Sequence, residues 1–178
     1  MKEWIIEPPV YTNWGSWGEY RKCAPGHFVK GMQLKIKPYL GRAGGGDDTM
    51  LNAIRLTCTD EEVLVSAEGR WGVWHEYTES ADHIVGLQLR SERNLGLRRT
   101  TKLRPNDTAT NGVRFLDTVG RHYYPGDGLF GEWRDWVFCP AGTVVIGFRT
   151  QVEHSRGLRG GDDTALNRAE FICGSYEP

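Results

Sequence analysis

Apolar and polar residues alternate with a period of two in several short segments of the chain. The clearest run follows Gly31 and consists of Met32, Gln33, Leu34, Lys35, Ile36 and Lys37. Similar runs follow Gly86 and Gly147. Successive side chains of a β-strand point to opposite faces, so these segments are predicted to be strands with one apolar and one solvated face. Because no segment of useful length follows the helical period, the chain is predicted to be all-β.

The predicted strands belong to a unit that occurs three times. Each copy opens with an aromatic residue, Gly, any residue and Trp, and the copies span residues 14–58, 71–117 and 130–173. A unit with about four short strands cannot bury its apolar face alone, so three units should pack around a common axis. We therefore predict one domain over residues 1–178, folded as a threefold pseudosymmetric β-prism. A β-trefoil has the same symmetry and is the alternative.

Four cysteines occupy matching places in the first and third copies. They are Cys23, Cys58, Cys139 and Cys173. The second copy has Ser80 and Asp117 at the corresponding positions. Joint loss of both cysteines is what bonded partners would show, so the predicted disulfides are Cys23–Cys58 and Cys139–Cys173. Disulfides persist in oxidising compartments, which predicts a secreted protein, whereas four buried free thiols are the alternative.

The charge balance narrows the choice of partners. The formal net charge is -1 at pH 7, so the chain as a whole lacks the positive field that a general nucleic-acid or membrane-surface binder needs. No stretch approaches the ~18 apolar residues that span a bilayer, so we expect no membrane insertion. The first residues do not form the apolar segment of a signal peptide, so secretion requires that a signal has been removed.

Three motifs, taken together, point to a known family. They are W-G-x-W at 14–17 and 71–74, C-P-x-G at 139–142 and G-D-D-T-A-L-N at 161–167. With these motifs the chain resembles the vitelline membrane outer layer protein I family over residues 14–173. The resemblance implies a β-prism of three Greek-key sheets, a secreted protein of egg coats and other extracellular layers, and affinity for amino-sugar glycans. A lysozyme-like transglycosylation activity is attributed to some members.

Each copy carries an Asp in its closing motif, followed four residues later by an Asn. The residues are Asp48 and Asn52, Asp107 and Asn111, and Asp163 and Asn167. If the threefold axis gathers them at one end of the prism, carboxylates and amides from different copies would line a pocket that binds glycan. The competing interpretation is a turn in which Asp accepts backbone N–H groups. Adjacent Asp residues in extended chain point to opposite faces, so one pair alone cannot supply the acid and base of a glycosidase.

Aromatic residues recur at a spacing of three at the start of each copy. The middle residue is always Trp, and we expect Trp17, Trp74 and Trp133 to be equivalent core positions, because large buried aromatics contribute most to a core. Aromatic residues on either side become exposed if the Gly of the motif forms a bulge. Tyr77 and Trp136 are therefore the predicted platforms on which a sugar ring stacks.

The second copy contains a basic segment that the other copies lack. Residues 90–104 include five Arg and one Lys against a single Glu. A solvated loop is the default interpretation. The functional interpretation is an anionic partner, such as a sulfated or sialylated glycan, bound by Arg98, Arg99, Lys102 and Arg104. Residues 106–108 form an N-glycosylation sequon, so Asn106 is a predicted glycosylation site.

No catalytic or metal-binding pattern stands out in the sequence. The five His show no metal-ligand spacing, and neither G-x-S-x-G nor a phosphate-binding loop occurs. We therefore predict no catalytic residue, no metal and no cofactor. The leading function is a secreted, non-catalytic coat or matrix protein that binds glycans or glycoproteins of an extracellular layer, without a nucleic-acid partner. The alternative is a lysozyme-like glycan transferase or hydrolase that acts on amino-sugar oligosaccharides.

Overall fold

The structure is a computed structural model that describes residues 2–37, 51–93, 109–126, 128, 130–154 and 166–176. The regular elements of these residues are β-strands, as the period of two predicted. They are β1 (Glu3–Ile6), β2 (Ser16–Trp17), β3 (Arg21–Lys22), β4 (Val29–Ile36), β5 (Leu51–Cys58), β6 (Val63–Val65), β7 (Val73–Trp74), β8 (Thr78–Glu79), β9 (Ile84–Ser91), β10 (Thr110–Asp117), β11 (His122–Tyr123), β12 (Glu132–Trp133), β13 (Val137–Phe138), β14 (Thr143–Val152) and β15 (Leu166–Ser175). Within the described ranges there is no helix with the length and apolar character needed to cross a membrane.

The strands form three antiparallel sheets of five strands each. Sheet A has the order β1-β15-β14-β2, sheet B the order β6-β5-β4-β7, and sheet C the order β11-β10-β9-β12. The remaining strands β3, β8 and β13 pair with β14, β4 and β9. One edge of each sheet is therefore an interrupted strand, formed by β2 and β3 in sheet A, β7 and β8 in sheet B, and β12 and β13 in sheet C. In sheets B and C three consecutive strands lie side by side and the fourth returns beside the first, which is a Greek key. Sheet A has the same arrangement with strands from both ends of the chain, and three such separate sheets are the predicted β-prism rather than a β-trefoil.

The core lies where the inner faces of the three sheets meet. The residues that the alternation predicted to point inward, such as Leu34, Leu89 and Phe148, are 0% exposed. Phe115 and Phe171 are also fully buried there. Complete burial of a Leu or Phe side chain contributes roughly 1.5–3 kcal/mol, so this shared core is a main source of stability.

Each predicted copy contributes strands to two sheets. The interrupted strand that opens the first copy pairs with β14 of sheet A. The corresponding strand of the second copy pairs with β4 of sheet B, and that of the third copy pairs with β9 of sheet C. β1 also pairs with β15, so sheet A combines strands from both ends of the chain. The opening motif of one copy therefore completes the sheet of the copy before it.

The Gly of each opening motif allows this pairing. Gly15, Gly72 and Gly131 have φ angles of 98°, 98° and 95°. A Cβ atom at Gly72 would lie 2.6 Å from the carbonyl carbon of Ile36 on the neighbouring strand. Only Gly adopts this backbone conformation without strain and leaves room for so close an approach.

Two of the three boundaries between sheets carry a disulfide. The bonds are Cys23–Cys58, between sheets A and B, and Cys139–Cys173, between sheets C and A. They are the two predicted pairs, and no cysteine of the chain is free. Because every sheet takes part in at least one bond, the two disulfides tie all three sheets together.

The third boundary, between sheets B and C, is held by hydrogen bonds. Asp117 is 1% exposed, and its carboxylate accepts the N–H groups of Val119 at 3.0 Å and Arg121 at 2.9 Å. It also accepts the hydroxyl of Tyr123 at 2.8 Å, and that hydroxyl accepts the N–H of Ala81, beyond β8, at 2.7 Å. Burial acts to raise the pKa of Asp117, but the hydrogen bonds from Arg121, Tyr123 and Val119 outweigh it and lower the pKa.

The prediction that Trp17, Trp74 and Trp133 belong to the core is wrong. None of the three is buried, and each lies partly exposed on the outer face of a sheet. Trp74 is directly opposite Lys35, and Trp133 is directly opposite Arg90. Cross-strand partners share a face, so these rings point outward with the cationic side chains.

Candidate functional site

The structure places the three predicted Asn residues inside the prism. Asn52, Asn111 and Asn167 are each 0% exposed. The side-chain oxygens of Asn52 and Asn167 accept the N–H groups of Trp71 and Trp14, both at 3.3 Å. These hydrogen bonds fix the start of the adjoining edge strand and give the two side chains a structural role. A direct contact between the Asn residues and a glycan stays a prediction.

Several predicted site residues lie outside the described residues. They are Asp48, Asp107, Asp163, Arg98, Arg99, Lys102, Arg104 and Asn106. The acidic pocket, the anionic contact of the basic segment and the glycosylation site therefore stay predictions.

Both predicted platform residues lie at the surface, although stacking of a sugar on them stays a prediction. Tyr77 is 41% exposed and lies over Gly31, where a Cβ atom would come within 2.1 Å of its hydroxyl. Trp136 is partly buried and belongs to a larger group of rings on sheet C. Its ring lies nearly parallel to that of Phe138, at 13° with 6.1 Å between centroids, and His122 meets it edge-on at 5.2 Å.

The outer side of sheet C carries a surface that we call the aromatic face. It consists of His122, Tyr124, Trp133, Trp136 and Phe138. Phe138 is 54% exposed and Tyr124 is 47% exposed. Tyr124 and Trp133 contact each other at 5.7 Å between centroids. Strand alternation explains the arrangement, because Tyr123, between His122 and Tyr124, points inward and stacks on Phe115.

Phe138 occupies a position that is charged in the other two sheets. Phe138 is paired with Gly86 on β9, whereas the corresponding partners on β14 and β4 are Lys22 and Glu79. Lys22 forms an ion pair with Glu3 at 2.7 Å, and Glu79 forms one with Lys30 at 3.2 Å. Because both charged side chains are solvated and paired, only sheet C presents a ring at this position.

An Arg guanidinium covers the middle Trp of the opening motif in all three sheets. The contacts are Arg149 over Trp17 at 4.3 Å, Arg55 over Trp74 at 3.8 Å and Arg114 over Trp133 at 3.9 Å. Such cation–π contacts contribute about 0.5–1 kcal/mol at exposed sites and more when they are desolvated. The repeated Trp is thus explained by its cationic cover on the outer face.

The guanidinium of sheet A is neutralised by a carboxylate. Arg149 donates to Glu170 through Nε at 2.9 Å and Nη2 at 3.1 Å, and Tyr20 donates its hydroxyl to the same carboxylate. Burial acts to raise the pKa of Glu170, but the hydrogen bonds from Arg149 and Tyr20 outweigh it and lower the pKa. Both oxygens of Glu170 are therefore engaged within the protein.

The guanidinium of sheet C has no carboxylate partner among the described residues. Arg114 lies over Trp133 and also 5.3 Å from the centroid of Tyr124. Its cross-strand neighbour is Gln88, which is 8% exposed. The Gln88 side-chain nitrogen donates to the backbone oxygen of Arg134 at 2.7 Å, but its side-chain oxygen has no hydrogen-bond partner within the described ranges. A cation and a buried acceptor thus lie beside the aromatic face.

The basic segment begins and ends at the same edge of sheet C as Trp133. It leaves the described part of the sheet at Arg93 and re-enters it at Ala109, before β10. Arg90 donates to the backbone oxygens of Gly131 at 3.2 Å and Gly128 at 3.0 Å, which anchors the segment to the start of β12. The described part of the basic segment, residues 90–93, therefore begins opposite Trp133.

Two clefts lie beside the Cys-Pro-x-Gly turn and its counterpart. The larger, of about 710 Å³, is lined by residues that include Lys2, Lys22 and His27. The smaller, of about 440 Å³, is lined mainly by apolar residues that include Leu116 and Phe138. Because Phe138 also belongs to the aromatic face, the smaller cleft extends that face toward the boundary with sheet A.

One acidic grouping in the described part of the chain has the spacing of a metal site. Cys58, Asp60 and Glu62 bring one ligand atom each within 4.8 Å of the others. The sulfur of Cys58 is already bonded to Cys23, and a carboxylate oxygen of Asp60 accepts the N–H of Glu62 at 3.2 Å. The grouping is explained by a tight turn after β5 and carries no metal-site argument.

Sequence reasoning missed Arg114, His122, Tyr124 and Phe138. Tyr124 and Phe138 lie in different copies along the chain, and only the exchange of edge strands brings them to one sheet. One signal was present in the sequence, because the residue before each first cysteine position is Lys22, Glu79 or Phe138. The aromatic residue at this otherwise charged position indicates that sheet C differs from the other two sheets.

Comparison with known proteins agrees with this architecture. The sequence profile of the vitelline membrane outer layer protein I (VOMI) family matches residues 4–118 and 120–177. The human vitelline membrane outer layer protein 1 homolog is 38% identical over 181 residues, covering 95% of this chain and 82% of the relative. The mouse homolog is 36% identical over 177 residues, covering 91% and 80%.

Solved structures with the same fold include proteins described as lectins and agglutinins. A prostate-specific WGA16 glycoprotein lectin superposes with a TM-score of 0.60 at 14% identity, covering 97% of this chain and all of that one. Calystegia sepium agglutinin gives a TM-score of 0.58 at 12% identity, covering 98% and 97%. At such identities the likeness concerns the fold alone.

The three antiparallel sheets, with disulfides at two of their three boundaries, define a β-prism protein. The chain belongs to the vitelline membrane outer layer protein I family.

Proposed function

We propose that this protein is a secreted, non-catalytic glycan-binding protein of an extracellular layer, and that it binds glycan on the aromatic face of sheet C. The observation that carries the proposal is the pair of nearly parallel rings of Trp136 and Phe138, of which Phe138 is 54% exposed. Sugar rings present C–H groups on their faces and hydroxyl groups at their edges. An aromatic ring therefore packs under a sugar while nearby polar groups hydrogen-bond its rim.

The difference between the sheets supports this assignment. In sheets A and B the position of Phe138 holds Lys22 or Glu79, and both are ion-paired. Since packing of the prism does not require an exposed ring there, the exposed Phe138 is accounted for better by binding than by folding. The adjacent cleft of about 440 Å³ offers room for a second sugar unit.

The relatives and the disulfides support the class of partner and the compartment. The family takes its name from the outer layer of the vitelline membrane, and two solved proteins with this fold are described as a lectin and an agglutinin. Two disulfides favour an oxidising compartment. The glycans or glycoproteins of an extracellular layer are the partners that fit these observations.

A glycan array followed by calorimetry on the best ligand tests the proposal. Trp136→Ala should weaken binding roughly tenfold, because loss of the ring removes about 1–2 kcal/mol of buried apolar contact. Tyr20→Ala is the matched control, since Tyr20 occupies the position of Trp136 on sheet A, and it should leave the affinity unchanged. Equal weakening by both variants, or none by Trp136→Ala in a folded protein, would contradict the proposal.

The same samples test the enzymatic alternative. A glycosidase needs two carboxyl groups about 5 to 9.5 Å apart around one sugar bond. No contact among the described residues favours such a pair, and the Asp residues of the closing motifs lie outside that set. We expect the best ligand to be recovered intact after prolonged incubation, and its cleavage or transfer would contradict the non-catalytic part of the proposal.

A further inference from the structure

We infer that the aromatic face selects glycans that carry an acidic group, a carboxylate or a sulfate, and that Arg114 recognises that group. The inference rests on the proposed function and specifies the class of ligand. It begins from the guanidinium of Arg114, held between Trp133 and Tyr124 with no carboxylate partner among the described residues.

Sheet A shows how an acid engages a guanidinium that covers the middle Trp. The cross-strand pair is reversed there, because Arg149 has the register position of Gln88 and Glu170 that of Arg114. There the guanidinium over Trp17 belongs to Arg149, and Glu170 occupies its donors through two hydrogen bonds. Paired hydrogen bonds between guanidinium and an oxyanion are among the strongest and most directional of protein contacts. In sheet C an oxyanion supplied by the ligand pairs with the guanidinium over the middle Trp, as Glu170 does in sheet A.

In sheet B the guanidinium over the middle Trp has an uncharged hydrogen-bond partner. Arg55, over Trp74, donates from Nη1 to the side-chain oxygen of Gln33 at 3.2 Å. Sheet C has the same cross-strand pair, Arg114 and Gln88, without that hydrogen bond. Its guanidinium is therefore directed to the two rings rather than to the neighbouring amide.

The side chain of Gln88 supplies a second and independent sign of a ligand. It is 8% exposed, and its oxygen lacks a hydrogen-bond partner in the described structure. A buried acceptor without a donor costs free energy, so such atoms usually mark a site that a ligand or water completes. A sugar hydroxyl beside the acidic group is a donor of the required kind.

Charge near the face is complementary to an acid. The basic segment leaves sheet C at Arg93 and returns at Ala109, beside the strand that carries Trp133. Arg90, the first cation of this segment, lies opposite Trp133 and adds positive charge on the same face of sheet C. Carboxylate and sulfate share the required oxyanion chemistry.

Three hexasaccharides that contain N-acetylglucosamine test the inference on the intact protein. They are chitohexaose, which is neutral, hyaluronan hexasaccharide, which carries carboxylates, and 6-O-sulfated chitohexaose. We expect one or both acidic probes to bind about tenfold more tightly than chitohexaose at 0.1 M salt, and the preference to shrink at 1 M salt. Comparison of the two acidic probes shows whether a carboxylate or a sulfate is preferred.

Substitutions of single Arg residues show whether the acidic group contacts Arg114 or is attracted by positive charge in general. Arg114→Gln should reduce the ratio of acidic to neutral affinity to about one, whereas Arg55→Gln, the matched change on sheet B, should leave that ratio as in the native protein. If Arg114→Gln does not fold, Gln88→Glu provides the second variant, because it supplies an internal carboxylate that competes for Arg114. A folded Arg114→Gln protein that keeps the native ratio would overturn the inference.

The outcomes separate this inference from the proposed function. If all three probes bind equally and Trp136→Ala weakens each of them, the glycan-binding face stands and the acid preference is wrong. If the acidic probes bind as well to Trp136→Ala as to the native protein, both ideas are wrong. If neither acidic probe binds while the array yields a neutral ligand, only the acid preference is overturned.

Discussion

The boundary between sheets B and C solves the same problem as the other two boundaries with different chemistry. At the A–B and C–A boundaries a disulfide joins the end of an edge strand to a central strand. At the B–C boundary a buried carboxylate, Asp117, is linked through the Tyr123 hydroxyl to the backbone of Ala81. Pseudosymmetry therefore fixes the position of a link between sheets, whereas its chemical nature differs from one boundary to the next.

The carboxylate is tolerated at a buried position because its oxygens have three donors. Two are N–H groups of the turn after β10, and the third is the hydroxyl of Tyr123. A buried ion without such donors would cost several kcal/mol. The comparison teaches that a hydrogen-bonded acid can occupy the place of a disulfide, at the expense of covalent strength.

Removal of a disulfide should have the largest effect on stability. Replacement of both Cys139 and Cys173 by Ser should lower the free energy of unfolding by on the order of 3–4 kcal/mol, because the loop that the bond closes becomes unrestricted in the unfolded chain. Chemical denaturation monitored by Trp fluorescence measures the change. An effect no larger than that of the Asp117 variant below would contradict the ranking of the boundaries.

Loss of the buried carboxylate should have the next largest effect. Asp117→Ala should cost about 2 kcal/mol, since the Tyr123 hydroxyl and the two N–H groups lose their acceptor. Asp60→Ala is the matched control, because this exposed residue accepts one N–H in the equivalent turn after β5, and it should cost less than about 0.5 kcal/mol. Similar losses in the two variants would show that Asp117 has no special role at the boundary.

Conversion of the third boundary to a disulfide should stabilise the protein moderately. Ser80→Cys combined with Asp117→Cys restores the pattern of the other two boundaries. The new bond should contribute about 3–4 kcal/mol by restricting the unfolded chain, offset by about 2 kcal/mol for the lost hydrogen bonds. Peptide mapping without reductant identifies the bond and calorimetry gives the gain. Two free thiols in the folded variant would contradict the equivalence of the boundaries.

The smallest expected effect is a dependence on pH. Hydrogen bonds lower the pKa of Asp117 in the folded protein below its ordinary value of 3.8, so its ionised form stabilises the fold. This contribution is complete above the unfolded pKa and is lost as the pH falls through the lower folded pKa. The difference in unfolding free energy between the native protein and Asp117→Asn should therefore shrink below pH 3.8. A difference that stays constant or grows on acidification would contradict this assignment.

The period of two was sufficient to predict the strands, because burial on one face imposes the alternation directly on residues such as Leu34 and Phe148. The same logic failed for Trp74, since an edge strand two residues long contains no alternation from which its face can be inferred. Its orientation is set by the cross-strand partner Lys35, and a single sequence does not show that pairing. The disulfides were predictable because the second copy lacks both cysteines together.

The candidate site was less predictable than the fold. Trp136 was recognised by its spacing, but Phe138 and Tyr124 enter the site only through the exchange of edge strands between copies. The link through Tyr123 was also invisible, because its partners Asp117 and Ala81 belong to different sheets. Residue patterns within one copy report on strands and core, whereas contacts between copies depend on the order in which the sheets are assembled.

The closure of sheet A by both ends of the chain has a consequence for synthesis. Sheets B and C are each formed by a continuous stretch of chain, from β4 to β8 and from β9 to β13. Sheet A needs β1, β2 and β3, which emerge first from the ribosome, and β14 and β15, which emerge last. The strands β1, β2 and β3 therefore have no partner until β14 and β15 have been synthesised. Contacts of such long sequence separation form slowly, so a nascent chain exposes unpaired strand edges until that point, and such edges are prone to pair with other chains.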